Sequence, residues 1–90
     1  MTRIVRGALV QTAWTGDKDS MIQKHVDYAR KAADQGAQVM CFQELFYGPY
    51  FCQVQRPEFF SYTEPIPDGP TTELMQKLAQ ELHMVLVVPM

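Results

Sequence analysis

Blocks of apolar residues separated by polar turns predict three short strands in this chain. The runs IVRGALVQ, AQVMCF and MVLVVPM, at residues 4–11, 37–42 and 84–90, have the length and apolar content of buried strands. The second run, AQVMCF, is nearly continuous in apolar residues, which is typical of a strand that is covered on both faces of a sheet. We therefore expect this strand to be buried.

Helical periodicity fills the two intervals between these runs. In the first interval, Asp19 or Ser20 can cap a helix, and Gly36 supplies the left-handed residue that commonly ends one. In the second, Pro70 occupies the position of a first helical residue. The apolar positions at helical spacing are Ile22, Val26, Ala29 and Ala33, and then Leu74, Leu78 and Leu82 with Met75 and Ala79 beside them.

The predicted order of elements is strand, helix, strand, long loop, helix, strand. This alternation indicates an α/β fold whose parallel strands are joined by right-handed crossovers. The loop at residues 44–69 has no clear period, although PEFFSYT can form one helical turn within it, and loops of this length are often functional. Three strands and two one-sided helices leave sheet edges and one sheet face uncovered, so we expect the chain to be a fragment of a larger domain.

Length and charge exclude several classes of function. Ninety residues allow at most one small domain, and eight basic residues against ten acidic ones give a net charge of −2 without a run of either sign. Nucleic acids and anionic membranes attract clustered Lys and Arg, so neither is expected as a partner. No apolar stretch approaches the roughly eighteen residues of a transmembrane helix.

The cysteines and histidines form no recognisable metal or redox motif. Cys41 and Cys52 are not spaced as a CxxC pair, and His25 and His83 are isolated on predicted helices, where surface or satisfied roles are expected. A thiol within the second strand, as at Cys41, is inert packing. Cys52 would need a basic neighbour to become a nucleophile, and only Arg56 is near in sequence. We expect reduced thiols in a cytoplasmic protein and no metal.

Glu44 is the strongest candidate for chemistry. It follows the second strand closely, at the carboxyl end of the sheet, where α/β proteins bind ligands. The aromatic residues that come next are expected to desolvate the carboxylate and make it a proton acceptor. They are Phe46, Tyr47, Tyr50 and Phe51. The alternative is a structural role, as a helix cap or a partner of a lysine, which is the commoner role of an acid at a strand end.

Three segments of the chain resemble the nitrilase superfamily of carbon–nitrogen hydrolases. They are RGALVQTAW, KAADQGAQVMCFQELFYGPYFCQ and EPIPDGPTTELMQKLAQELHMVLVVPM, in that order across nearly the whole chain. The most specific part is the fixed distance between GAQV and QELF. Within the superfamily, the segment QELFYGPYFCQ is most similar to the N-carbamoylputrescine amidases and, slightly less, to the β-ureidopropionases. Both groups cleave N-carbamoyl amines or amino acids and release ammonia and carbon dioxide.

The resemblance implies a four-layer α-β-β-α sandwich, of which residues 1–90 are the N-terminal part, truncated at or just after the third strand. It also implies a Glu-Lys-Cys mechanism without cofactor or metal, a small-molecule N-carbamoyl or amide substrate, and a homo-oligomer when the protein is full-length. Glu44 aligns with the family's glutamate, which takes the thiol proton, and Tyr50 is expected in the wall of the substrate pocket. The family's lysine and cysteine follow later strands, and neither Cys41 nor Cys52 lies in its nucleophile motif. The ninety residues alone are therefore expected to be inactive.

Two other interpretations stay open. One is an inactive member or fragment of the family that serves as an assembly module through its exposed sheet. The other is a small stand-alone α/β ligand-binding module, which predicts cooperative folding as a monomer. A lysine and a cysteine beyond Met90, each just after an apolar strand, would favour the amidase. Self-association of the isolated chain would count against the stand-alone module.

Overall fold

The computed structural model describes residues 3–48, 57 and 62–90. Strands and helices alternate along these residues in the predicted order, which is therefore confirmed. The elements are β1 (Gly7–Leu9), α1 (Lys18–Asp34), β2 (Val39–Cys41), α2 (Pro70–Leu82) and β3 (Val85–Val87). Each strand is shorter than the apolar run that predicts it, because only the central residues of each run pair.

The three strands form one parallel sheet in the order β1-β2-β3. Its register places Ala8, Met40 and Leu86 side by side in one row. Parallel neighbours need a crossover connection, and α1 and α2 lie in the two crossovers. None of the helices described in residues 3–48 and 62–90 is both long and apolar enough to span a membrane.

The N-cap of helix α1 lies two residues before Asp19 and three before Ser20, the predicted caps, and the helix ends as predicted. Asp17 is its N-cap, and the Asp17 carboxylate accepts a hydrogen bond from the backbone N–H of Ser20 at 2.8 Å. The prediction that Asp19 or Ser20 caps the helix is therefore wrong. Both residues lie in the first turn of α1, and the Ser20 N–H is the donor that the Asp17 cap binds three residues on. Gly36 has a φ of 86°, the left-handed conformation predicted after the last turn.

Helix α2 begins at Pro70 as predicted, but its buried face is rotated from the predicted stripe. Thr71, Met75 and Leu78 are buried, whereas Leu74 is 40% exposed. Thr71, in the first turn, lies on the inner face in place of Leu74, because the Thr71 side chain is bonded to Glu64 in the preceding loop. The helix ends at His83, which is exposed and adopts the left-handed conformation with φ 50°.

Both helices cover one face of the sheet, and the core lies between the helices and that face. The buried hydrophobic residues of this core are Val26, Ala29, Met40, Phe42, Phe46, Tyr47, Met75, Leu78 and Met84. The opposite face is also apolar but bare: Leu9 is 86% exposed, Val85 63% and Val87 48%. The prediction of an uncovered sheet face is confirmed for these residues.

Candidate active site at the carboxyl end of the sheet

Glu44 opens a turn that directly follows β2, at the end of the sheet where the sequence predicts chemistry. The turn covers residues 44–47 and is closed by a hydrogen bond from the Gly48 N–H to the Leu45 carbonyl at 3.2 Å. Leu45 has a φ of 53°, a left-handed conformation that costs a side-chain-bearing residue about 1–2 kcal/mol. Such strain persists only where surrounding contacts fix the backbone, and it is concentrated at functional sites.

Buried aromatic rings on both sides of Glu44 supply those contacts. Phe42 and Phe46 are 2% and 0% exposed, and their ring centroids lie 5.2 Å apart. Both rings pack on the imidazole of His25 from α1, at 4.9 and 5.0 Å. Tyr47 extends the stack, with its ring 5.3 Å from that of Phe46. The turn is therefore anchored to the core on either side of the acid.

The carboxylate itself is not enclosed by these rings. Glu44 is exposed, while Phe46 and Tyr47 are buried in the core. The prediction that these two rings desolvate Glu44 is wrong, because the turn directs them inward and the acid outward. Tyr50 and Phe51 lie outside the described residues, so their predicted roles stay predictions.

The backbone next to Glu44 is tied to the neighbouring strand by a side chain. Gln43 accepts a hydrogen bond through Oε1 from the Thr12 N–H, at 2.9 Å. Thr12 lies just beyond β1, so this bond extends the connection between β1 and β2 past the end of their ladder. The position of Glu44 is thus fixed relative to two strands rather than one.

His25 is fully buried, which the sequence interpretation missed. Its Nδ1 donates to the Met21 carbonyl at 2.9 Å, since a carbonyl can only accept, and its Nε2 has no hydrogen-bond partner among the described residues. Burial lowers the pKa of His25, and nearby Lys24 adds to this effect, while the bond to Met21 opposes it. The available signal was its place four residues after Met21 and four before Ala29, on the apolar face of α1.

Of the two cysteines, only Cys41 lies within the described residues. It is half-buried in β2, and its Sγ contacts the Phe42 carbonyl at 3.4 Å. This agrees with its interpretation as a packing residue. Cys52 lies outside the described residues. No group of three or more His, Cys, Asp or Glu side chains in residues 3–48 and 62–90 is arranged to hold a metal ion.

A second acid, Glu64, forms a buried polar cluster at the same end of the sheet. Its side chain is 4% exposed and forms an ion pair with Lys18, at the start of α1. It also accepts hydrogen bonds from the Thr71 backbone N–H, at 2.7 Å, and from the Thr71 hydroxyl. Lys18 Nζ lies 4.5 Å from the centre of the Tyr47 ring. We call Lys18, Tyr47, Glu64 and Thr71 the Glu64 cluster.

Glu64 is held as a carboxylate by its partners. Burial raises the pKa of Glu64, but the hydrogen bonds from Lys18 and Thr71 outweigh this and leave the pKa below its usual value. The signal in the sequence was EPIPDGPTT, an acid ahead of a helix whose N-cap, Gly69, has no side chain to offer. A Cβ on Gly69 would lie 2.4 Å from the Pro65 carbonyl oxygen, so the close approach of this loop requires glycine.

Residues 6–90 match the family model for carbon-nitrogen hydrolases. The chain belongs to this family. It is 42% identical over 86 residues to an N-carbamoylputrescine amidase of Solanum lycopersicum, covering 96% of this chain and 29% of that protein. It is 28% identical over 96 residues to a beta-ureidopropionase of Arabidopsis thaliana, covering 97% of this chain and 23% of that protein.

A solved structure shares the fold. The carbon-nitrogen hydrolase from Helicobacter pylori G27 superposes with a TM-score of 0.80 at 25% identity, over 91% of this chain and 28% of that one. The predicted family and the α/β fold are therefore confirmed. This carbon-nitrogen hydrolase chain spans less than a third of the length of these relatives.

Proposed function

We propose that these ninety residues are the N-terminal part of a carbon-nitrogen hydrolase domain that cleaves a C–N bond of an N-carbamoyl amine or amino acid. The match to the family supports the reaction class, and the higher identity to an N-carbamoylputrescine amidase than to a beta-ureidopropionase favours an amine substrate. We further propose that the complete protein is cytoplasmic and assembles as a homo-oligomer. No cofactor or metal enters the proposed reaction.

The position of Glu44 carries this proposal. Its carboxylate is exposed at the carboxyl end of a parallel sheet, on a strained turn whose flanking rings are fixed in the core. Ligands of open α/β sheets bind at this end. The exposure that rules out the predicted desolvation leaves the Glu44 side chain accessible to a proton donor, and the fixed turn holds its backbone; both support the assignment of Glu44 as the general base.

In the proposed mechanism, Glu44 takes the proton from a cysteine thiol, and the thiolate attacks the carbamoyl carbon. A lysine stabilises the negative charge on the tetrahedral oxygen. One C–N bond breaks as the leaving nitrogen receives the proton from Glu44, and water then hydrolyses the remaining thiocarbamate to release the thiol and a carbamic acid. The carbamic acid loses carbon dioxide, which breaks the second C–N bond. The net reaction consumes one water and yields the free amine, carbon dioxide and ammonia. The lysine and the cysteine would come from later strands, and Tyr50 would contribute to the pocket wall.

Replacing Glu44 in the complete enzyme tests this mechanism. We expect Glu44→Gln to fold normally and to lower kcat by about 10²–10⁴-fold, because an amide cannot accept the thiol proton. Ammonia release from N-carbamoylputrescine would be measured, with Glu73→Gln, an exposed acid on α2, as the matched control. A Glu44→Gln enzyme with near-normal kcat would remove Glu44 from the mechanism.

An assembly module without activity is the second candidate, and the bare apolar face of the sheet favours it. Leu9, Val85 and Val87 offer a surface on which another layer can pack. The coding sequence beyond Met90 separates the two candidates. The hydrolase requires a lysine and a cysteine, each just after an apolar strand, whereas the assembly module requires neither.

A further inference from the structure

The Glu64 cluster links the starts of both helices to the turn that carries Glu44. Glu64 is nearly inaccessible to solvent, yet it keeps its charge, because it lies between the Lys18 ammonium and the first turn of α2. The N-terminus of a helix favours an anion, and the N-cap Gly69 leaves the Thr71 N–H without a side-chain cap of its own. Glu64 supplies that cap from the preceding loop.

Lys18 carries the connection onward to the turn. Its side chain is 27% exposed, and its ammonium lies over the face of the Tyr47 ring, the geometry of a cation–π contact. Tyr47 is the last residue of the turn that Glu44 begins, and its hydroxyl donates to the Tyr62 carbonyl. The ring is therefore held by Lys18 on one face and by a hydrogen bond at its tip.

The two ends of the Glu44 turn are thus fixed by different means. The β2 end is held by apolar packing of Phe42 on His25, and by the bond from Thr12 to Gln43. The Tyr47 end is held by packing on Phe46 and by the bond to Tyr62, and in addition through a charge, because Glu64 pairs with the Lys18 ammonium that lies over the ring. Loss of that charge would leave Lys18 without its ion-pair partner and free to turn toward solvent.

We propose that Glu64 is a positioning residue for the general base, acting through Lys18 and Tyr47 on the turn that carries Glu44. This inference rests on the proposed function of Glu44. A small displacement of a catalytic group reduces turnover strongly, whereas substrate binding elsewhere in the pocket is unaffected. The expected signature of Glu64 is therefore a fall in kcat without a matching change in KM.

The test compares Glu64→Gln with Glu81→Gln in the complete enzyme. Glu81 is a matched control because it also pairs with a cation, Arg30, but at an exposed site on α2. With N-carbamoylputrescine as substrate, we expect Glu64→Gln to lower kcat about 10- to 100-fold with KM nearly unchanged, and Glu81→Gln to change neither. A folded Glu64→Gln enzyme that matches Glu81→Gln would overturn the proposal.

Lys18→Met keeps the test decisive if Glu64→Gln does not fold. This variant removes the contact with Tyr47 but leaves the bonds from Thr71 to Glu64, so kcat must fall here as well. An unchanged kcat rejects the positioning role.

Where both variants fold, the double variant should lower kcat by no more than the larger of the two single effects, because both residues act through one path. Additive losses would contradict that path. Normal turnover of Glu44→Gln would instead reject the proposed function, whatever Glu64 does.

Discussion

The two faces of the sheet have similar composition but different surroundings. On one face Met40 is 2% exposed beneath the helices, and on the other Leu9 and Val85 are 86% and 63% exposed. Residues on opposite faces of one sheet thus meet either a packed core or solvent. The difference shows that local β-α-β connections complete one face of this sheet and leave the other for a layer that these elements do not supply.

The largest expected effect on stability comes from truncating a leucine on the covered side of the sheet. A leucine on the bare side, truncated in the same way, is the comparison. Leu78→Ala, at a position 3% exposed, should lower the free energy of unfolding by about 2–5 kcal/mol or abolish the cooperative transition, because it opens a cavity. At a protein concentration where the chain is monomeric, Leu9→Ala should change that free energy by less than about 0.5 kcal/mol. Urea unfolding followed by circular dichroism measures both. Equal losses would mean that the Leu9 face is covered in solution.

A smaller effect is expected from pH, through the buried imidazole on the covered side. The folded pKa of His25 is lowered, so below about pH 6.5 the unfolded chain binds a proton that the folded chain does not. The free energy of unfolding should therefore fall as the pH drops from about 6.5 toward 5, by at most about 1.4 kcal/mol per pH unit, and be independent of His25 above that range. Urea titrations at several pH values measure this slope.

His25→Phe should remove the pH slope, because the ring stays but the titrating group is lost. His83→Asn is the matched control, since asparagine tolerates the left-handed backbone at this exposed position. The slope should survive in the control. If it also survives in His25→Phe, another group is responsible and the imidazole is not held neutral by burial.

The smallest effect on stability, but a clear one on association, is expected on the bare face. We expect the ninety-residue chain to self-associate through this face, because exposed apolar patches of this kind are interaction surfaces. Val87→Lys should leave the urea midpoint of the dilute, monomeric chain nearly unchanged, and at higher concentration it should shift the chain toward monomer in sedimentation velocity. Leu74→Lys places the same charge on the helical side, at a position 40% exposed, and should not. Unaltered association of Val87→Lys would show that another surface is used.

The order of elements followed from the sequence because each element carries a local signal. Apolar runs mark the strands, Pro70 marks the start of α2, and Gly36 marks the end of α1. The covered face could not be told from the bare one, because strands that are apolar at every position give no alternation. The helix caps were misplaced for a related reason: several polar residues near Asp17 suit an N-cap, and only the geometry selects one.

The sequence predicted that Glu44 follows β2, but it did not predict where the neighbouring aromatic rings lie relative to the acid. The turn that Glu44 begins includes the left-handed backbone of Leu45, which no glycine or asparagine signals. Glu64 was missed because its partners lie in two helices that are distant along the chain, so no short motif links them. Its role follows from burial and pairing, which depend on the folded structure.

The parallel register has a consequence for how the chain is made. Gly7 pairs with Val39, and Val39 pairs with Val85, so neighbouring strands are always separated by a whole crossover. No hairpin can start the described sheet, and at about 5–20 residues per second a ribosome needs on the order of seconds to add β2 after β1. During that interval β1 has no partner strand from the described sheet, and its apolar residues stay accessible to other chains.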